Sequence, residues 1–151
     1  MILRKARIND AEAMNKLIKY YADQELMLPR NINSIYQNIR DYVLVEVDGE
    51  IKGVGGLHVF WHDLAEIRSL AISPDMAKQG LGRKVVNYFL DEAKEIGLKR
   101  VFTLTYQPGF FEKCGFAKVD KEELPQKVWQ ECIHCVKFPN CDETALFIDL
   151  F

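Results

Sequence analysis

The sequence predicts a single α+β domain in which a mixed, mostly antiparallel sheet is flanked by helices. Apolar segments of alternating and of helical spacing follow one another along the chain. Asp48-Gly49 separates two β-rich segments, as in a tight hairpin. An apolar strand at Ile67–Ile72 leads through a polar loop into Gly80-Leu81-Gly82 and an amphipathic helix. Because the 151 residues are 48% hydrophobic and contain no repeat or linker, one domain over residues 1–151 is expected.

The N-terminal half is predicted to contribute a strand, two helices and a hairpin. Alternating apolar residues indicate a strand at Leu3–Ile8, and Asn9 or Asp10 is suited to cap the next helix. That helix carries Ala13, Met14, Leu17, Ile18 and Tyr21 at helical spacing. After a loop at Leu26–Arg30, a second helix is expected, capped near Asn33 or Ser34 and carrying Ile35, Ile39 and Tyr42. The hairpin strands are Tyr42–Val47 and Ile51–Phe60.

The C-terminal half is predicted to alternate helices and strands. The main helix runs from about Gly80 to Ile96 and is stopped by Gly97. The remaining elements are a strand at Val101–Thr105, a short helix at Pro108–Cys114 closed by Gly115, a helix at Glu122–Cys132, and strands at Phe116–Val119 and Ala145–Leu150.

Composition excludes several classes of partner. The formal net charge is −2 and the charges are interspersed, so no basic face for nucleic acid is expected. No apolar run approaches the roughly 20 residues of a membrane span, and the N-terminus lacks the apolar core of a signal peptide. We therefore expect a cytoplasmic protein that acts on a small molecule. The sequence leaves a homodimer open.

The segment from Glu66 to Arg83 has the form of an anion site. The first amides of a helix lack partners, and the helix dipole favours negative charge there. Gly80 and Gly82 allow a phosphate to approach the main chain closely. Glycines that only turn the chain are the competing interpretation.

The order of elements, the Gly80-Leu81-Gly82 helix start and the segment Phe110–Phe116 (FFEKCGF) resemble the GNAT acetyltransferase superfamily over nearly the whole chain. The chain further resembles the acetyltransferase domain of N-acetylglutamate synthase, in its short form without an amino-acid kinase domain. The segments that carry this resemblance are EIRSLAISP, QGLGRKVV, GLKRVFTLTYQPGFFEKCGF and DKEELPQKVW. Two positions depart from the superfamily pattern. The glycine loop begins with Ala77-Lys78, and Phe111 replaces the tyrosine that often protonates the departing thiolate.

The resemblance implies acetyl-CoA as cosubstrate and a splay between the fourth and fifth strands that holds its pantetheine arm. The implied coenzyme contacts are Leu70, Ala71 and Ile72, with the Leu70 or Ala71 amide facing the thioester, and the loop residues Gln79, Gly80, Leu81, Gly82 and Arg83. Glu66 is the preferred base, acting through a water, unless it only pairs with a neighbouring Arg or Lys. Tyr106 is the candidate acid, with a half-buried aromatic as the competing interpretation.

The resemblance also implies L-glutamate as acceptor, acetylated in the first step of arginine biosynthesis. Two carboxylates call for cations, and Arg30 and Arg68 are the candidates because a guanidinium binds a carboxylate bidentately. Strand alternation places Glu66, Arg68 and Leu70 on one face. The alternatives are another amino acid, a polyamine or a peptide amine as acceptor, or a non-catalytic module that binds acyl-CoA.

Cys132, Cys135 and Cys141 form a C-x-x-C-x5-C pattern. A zinc ion could bind these thiolates, with Cys114 or Asp142 as the fourth ligand. Three free thiols packing a loop are the favoured interpretation, and a redox role is the third.

Overall fold

The computed structural model of the chain describes residues 1–124 and 143–151. Within these residues, seven strands form one sheet in the order β1-β2-β3-β4-β5-β7-β6, in which the β4–β5 pair is parallel and the other pairs are antiparallel. The strands are β1 Ile2–Lys5, β2 Tyr42–Val47, β3 Glu50–Trp61, β4 Leu64–Ile72, β5 Arg100–Thr105, β6 Ala117–Val119 and β7 Thr144–Asp149. The helices are α1 Ala11–Ala22, α2 Ile32–Gln37, α3 Leu81–Ile96 and α4 Pro108–Lys113. The predicted fold class, a mostly antiparallel sheet flanked by helices, is confirmed.

The predicted hairpin and the predicted main helix are both observed. Asp48 and Gly49 have φ values of 51° and 79°, the left-handed conformation that a two-residue turn between twisted strands needs. Gly80 precedes α3 at φ 79°, and Gly97 ends it at φ 94°. Since a residue with a Cβ is strained at such angles, glycine there defines both ends of α3.

Three predicted features of the first strand and the first helix were wrong. β1 ends at Lys5, because the Asp10 carboxylate accepts hydrogen bonds from Arg4 (2.8 and 2.9 Å) and from the Arg7 amide (2.8 Å), which closes a 3-10 turn. The same bonds lower the pKa of Asp10, Arg4 contributing most, and leave α1 without a side-chain cap. On α1, Ala13 is exposed instead of lying on the buried stripe.

The second helix is capped two or three residues earlier than predicted. Asn31 accepts from the Ser34 amide at 2.8 Å, and α2 then begins at Ile32. The helix ends at Gln37, so Ile39 lies in a 3-10 turn and Tyr42 begins β2. In the C-terminal half, the described part of the predicted Glu122–Cys132 helix is a 3-10 turn at Lys121–Glu123, and the rest lies outside the described residues.

Helices pack on both faces of the sheet, so the strands that line the candidate site lie between them. On one face α3 buries Val85, Val86 and Phe89, and on the other α1 buries Met14 and Ile18. A third cluster packs Leu64 of β4 and Phe102 of β5 against Leu124 and against Ala145 of β7. None of the described helices has the length and apolar character needed to cross a membrane.

Candidate active site

A groove opens where β4 and β5 separate. The two parallel strands pair only over Leu64–Glu66, opposite Arg100–Phe102. Past this ladder the Thr103 hydroxyl donates to the Ile67 carbonyl at 3.0 Å, a buried link across the opening. Beyond the link the strand ends line a groove of about 1510 Å³, which extends to the start of α3. The predicted splay of the fourth and fifth strands is therefore observed.

A bulge in β4 reorganises the wall of this groove. Two residues, Ser69 and Leu70, stand opposite the single residue Gly55 of β3, and Ser69 has a φ of +56°. Leu70 consequently points to the α3 face, where it lies within reach of Gly55, while Glu66 and Arg68 occupy the other face. The expectation that Glu66, Arg68 and Leu70 share one face was wrong, because the extra residue shifts the alternation by one.

The coenzyme candidates from β4 and the glycine loop line one end of the groove. Leu70, Ala71 and Ile72 line it from the strand, and Gly80, Leu81, Gly82 and Arg83 line it from the start of α3. Gln79 is not among the lining residues, whereas Lys78 is, at a φ of +64°. Lys78 and Gly80 adopt left-handed conformations, and the residues that carry the first amides of α3, Leu81 to Arg83, line the groove.

Gly82, the second residue of α3, lies so close to an aromatic ring that a side chain there would require the ring to shift by a few tenths of an ångström. A Cβ built there would lie 3.1 Å from the Phe110 ring, and Phe110 itself lines the groove. The preceding Gly80 has no atom within 4 Å of such a Cβ, so its requirement is conformational, whereas that of Gly82 is steric.

Glu66 and Arg68 form a buried ion pair at the other end of the groove. Arg68 donates to Glu66 Oε1 through Nη2 (2.6 Å) and Nε (2.9 Å), and the two side chains are 11% and 8% exposed for Glu66 and Arg68 respectively. The Arg68 guanidinium also lies 5.4 Å from the centre of the Phe60 ring. The alternative that Glu66 pairs with a neighbouring cation is thus observed, and both residues line the groove.

Arg30 reaches the same end of the groove from the α1–α2 loop. Asn15 of α1 donates to its carbonyl at 2.8 Å, which fixes the loop backbone. Its Nε lies 3.4 Å from the hydroxyl of Ser69 in the bulge. Within residues 1–124 and 143–151, its terminal guanidinium nitrogens make no hydrogen bond. These nitrogens can therefore donate to an anionic ligand, whereas the guanidinium of the buried Arg68 already donates to Glu66.

Aromatic residues close the groove on the β5 side. Tyr106 follows the last β5–β7 pair, Thr105–Thr144, and lines the groove. Phe111 is 4% exposed and packs edge-on against Phe110 and Phe116, so this position offers no proton donor. Sequence reasoning missed Tyr21 and Glu143, which also line the groove. Helical spacing predicts for Tyr21 only a place on the apolar stripe of α1.

The predicted zinc ligands Cys132, Cys135 and Cys141 lie outside the described residues. Among the residues that are described, no group of three or more His, Cys, Asp or Glu could hold a metal ion. Cys114 lines the groove as a free thiol, and burial raises its pKa.

Comparison with known proteins agrees with this geometry. Residues 9–116 match the model of the acetyltransferase (GNAT) family. An uncharacterised N-acetyltransferase of Chlorobaculum tepidum is 36% identical over 95% of this chain and 93% of its own. An amino-acid acetyltransferase of Mycobacterium tuberculosis is 33% identical over 86% of this chain and 76% of its own.

A solved structure extends the likeness to the fold. N-acetylglutamate synthase from Neisseria gonorrhoeae, complexed with coenzyme A and N-acetyl-glutamate, superimposes with a TM-score of 0.91 at 26% identity. The match covers 99% of this chain and 35% of the synthase. The open sheet and the groove between its separating strands β4 and β5 are the architecture of an acyltransferase of this class. The chain belongs to the acetyltransferase (GNAT) family, and the predicted enzyme class is confirmed.

Proposed function

We propose that residues 1–151 form an N-acetyltransferase domain that moves the acetyl group of acetyl-CoA to the α-amino group of L-glutamate, the first step of arginine biosynthesis. One observation carries the proposal. A single groove joins the open edge of β4 and the glycine-led start of α3 to an end that holds Glu66, Arg68 and Arg30. The groove can therefore hold a coenzyme along β4 and α3 and a carboxylate-bearing amine at its other end.

Acetyl-CoA is the cosubstrate, as the sequence predicted. Its pyrophosphate suits the first amides of α3, where Gly80 and Gly82 keep side chains away from the main chain. Lys78 and Arg83 add positive charge around these amides. The pantetheine arm would occupy the gap beyond Thr103 as an additional strand along Leu70–Ile72.

The reaction needs an acceptor amine without its proton, stabilisation of the carbonyl oxygen and departure of the thiolate. Glu66 takes the proton through a water. The Leu70 amide is the better oxyanion donor than that of Ala71, because ladder alternation turns the Ala71 backbone towards Val54 of β3. Tyr106 is the hydroxyl that could protonate the thiolate, in the absence of a tyrosine at Phe111.

Arg30 is the proposed carboxylate ligand, and Arg68 shapes the site beside it. Arg68 is already engaged by Glu66 at 2.6 Å, so its charge is largely compensated within the protein. Arg30 is half-buried at the groove and keeps its terminal nitrogens for an incoming carboxylate, as far as the described residues extend.

One observation favours a different amino acid as acceptor. Arg68 is already engaged by Glu66 at 2.6 Å, so a second carboxylate of glutamate has weaker support in the groove than the carboxylate proposed to bind Arg30. An amino acid with one carboxylate is therefore the alternative acceptor.

Release of free thiol from acetyl-CoA tests both candidates. The purified protein is assayed against a panel of amino acids, including glutamate, glutamine and lysine, with polyamines and short peptides. Turnover with glutamate far above the others is expected. Preference for another amino acid would change the proposed acceptor but leave the proposed acetyl transfer in place. CoA binding without turnover would favour a non-catalytic module.

Replacing Arg30 by Ala is expected to raise the KM for glutamate about 10- to 100-fold, since hydrogen bonds to a charged group contribute roughly 1.5–3 kcal/mol. Arg30→Lys keeps the positive charge but loses the bidentate guanidinium, so its KM for glutamate should lie between those of wild type and Arg30→Ala. Arg40→Ala is the matched control, because Arg40 is exposed outside the groove. Steady-state kinetics at saturating acetyl-CoA measure the effect, and an unchanged KM would move the carboxylate site elsewhere.

A further inference from the structure

Tyr21 connects helix α1 to the wall of the groove. It lies one residue before the end of α1, and its hydroxyl donates a hydrogen bond to the backbone carbonyl of Ile72, the last residue of β4. The two residues are 51 positions apart in the sequence, so the contact joins separate parts of the fold at the coenzyme end of the groove. Both residues line it.

The register of β4 shows that this carbonyl faces the groove. Ser73 donates its amide to the Lys52 carbonyl of the neighbouring segment at 2.7 Å. Hydrogen-bonded and non-bonded pairs alternate in an antiparallel ladder, so the adjacent pair Gly53–Ile72 is a non-bonded one. The Ile72 carbonyl therefore points away from β3, into the gap where β4 and β5 no longer pair.

Contacts within the fold hold both the backbone and the ring of Tyr21, so its hydroxyl can orient the Ile72 carbonyl. Its own carbonyl accepts the amides of Gln24 (3.1 Å) and Leu26 (3.0 Å), which turns the chain out of α1. Its ring packs edge-on against Tyr20 at 5.0 Å. Burial raises the pKa of the Tyr21 hydroxyl, so it stays protonated and able to donate at neutral and mildly alkaline pH.

We propose that Tyr21 is a positioning residue for the coenzyme: its hydroxyl holds the Ile72 carbonyl in the direction in which that carbonyl accepts an amide N–H of the pantetheine arm. The proposal rests on the coenzyme groove of the proposed function. A carbonyl oxygen has two acceptor sites, so it can serve Tyr21 and the ligand together. Because the carbonyl is oriented before the ligand arrives, binding loses less conformational freedom.

Tyr21→Phe tests this role, with Tyr20→Phe as the matched control. Tyr20 is the neighbouring, exposed tyrosine and lies outside the groove lining. We expect the dissociation constant of CoA and the KM for acetyl-CoA to rise about fivefold in Tyr21→Phe, the factor that one ordinary hydrogen bond of ~1 kcal/mol represents. The KM for the acceptor and kcat should stay within twofold of wild type, and Tyr20→Phe should resemble wild type throughout.

The outcomes separate this role from a structural one and from the proposed function. A lower melting temperature with unchanged CoA binding would reduce Tyr21 to a stabilising contact and overturn the proposal, as would tighter CoA binding. CoA binding is measured without an acceptor, so an error in the acceptor leaves the result interpretable. Wild-type protein that bound no CoA would overturn both proposals, whereas normal CoA binding by both wild type and Tyr21→Phe would overturn this one alone.

Discussion

Glu66→Gln is expected to lower kcat about 10²-fold or more while leaving the dissociation constant of CoA unchanged, because loss of a positioned base typically costs 10²- to 10⁴-fold. Glutamine preserves the shape of the side chain, and its amide oxygen can still accept from Arg68, which donates to Glu66 at 2.6 and 2.9 Å. The variant therefore removes the proton acceptor and retains the contact. Single-turnover acetylation at saturating acetyl-CoA measures the chemical step.

Two further measurements separate a base from a structural partner of Arg68. Raising the pH deprotonates more of the free amine, so the variant should recover part of its rate at high pH if Glu66 is the base. Glu46→Gln is the matched control, since Glu46 also pairs with an arginine, Arg4, at 3.2 Å on β2, away from the groove. Near-normal turnover by Glu66→Gln would leave Glu66 as a structural partner only.

Local sequence signals predicted the framework of the site. Asp48-Gly49 and Gly97 adopt the positive φ values that their residue types indicate, so the hairpin and the end of α3 were found within one residue. Gly80 and Gly82, which the reasoning about helix starts singled out, both line the groove. These features depend on a few adjacent residues, which a sequence displays directly.

Other features depend on contacts that no local pattern contains. Ser69 gives no sign of a left-handed conformation, yet its bulge decides which side chains of β4 share a face. The Tyr21–Ile72 bond joins elements 51 residues apart, and helical spacing assigned Tyr21 only to the apolar stripe. Alternation predicted only that Glu66 and Arg68 share a face, and a pairing of Glu66 with a neighbouring Arg or Lys was the competing interpretation. The contacts in the fold identify Arg68 as that partner and show the greater availability of Arg30.

Gly82→Leu is expected to weaken CoA binding about 10²-fold or more. A side chain at the second residue of α3 projects into the space where the phosphates would approach the first helix amides, and each hydrogen bond to a charged group contributes roughly 1.5–3 kcal/mol. Calorimetric titration with CoA measures the loss. Gly109→Leu is the matched control, because a Cβ at Gly109 meets no atom within 4 Å and the residue lies outside the groove lining.

A second variant decides whether the loss reflects a blocked phosphate site or a displaced aromatic ring. The Cβ at position 82 would lie 3.1 Å from the Phe110 ring, so Gly82→Ala alone could act by pushing that ring into the groove. Combining Gly82→Ala with Phe110→Leu removes the ring contact and leaves the methyl group over the helix start. If the amides of α3 bind the pyrophosphate, the double variant should remain weaker than Phe110→Leu alone. Equal affinity would mean that Gly82 serves only to accommodate Phe110, and the phosphates would then have to bind elsewhere along the groove.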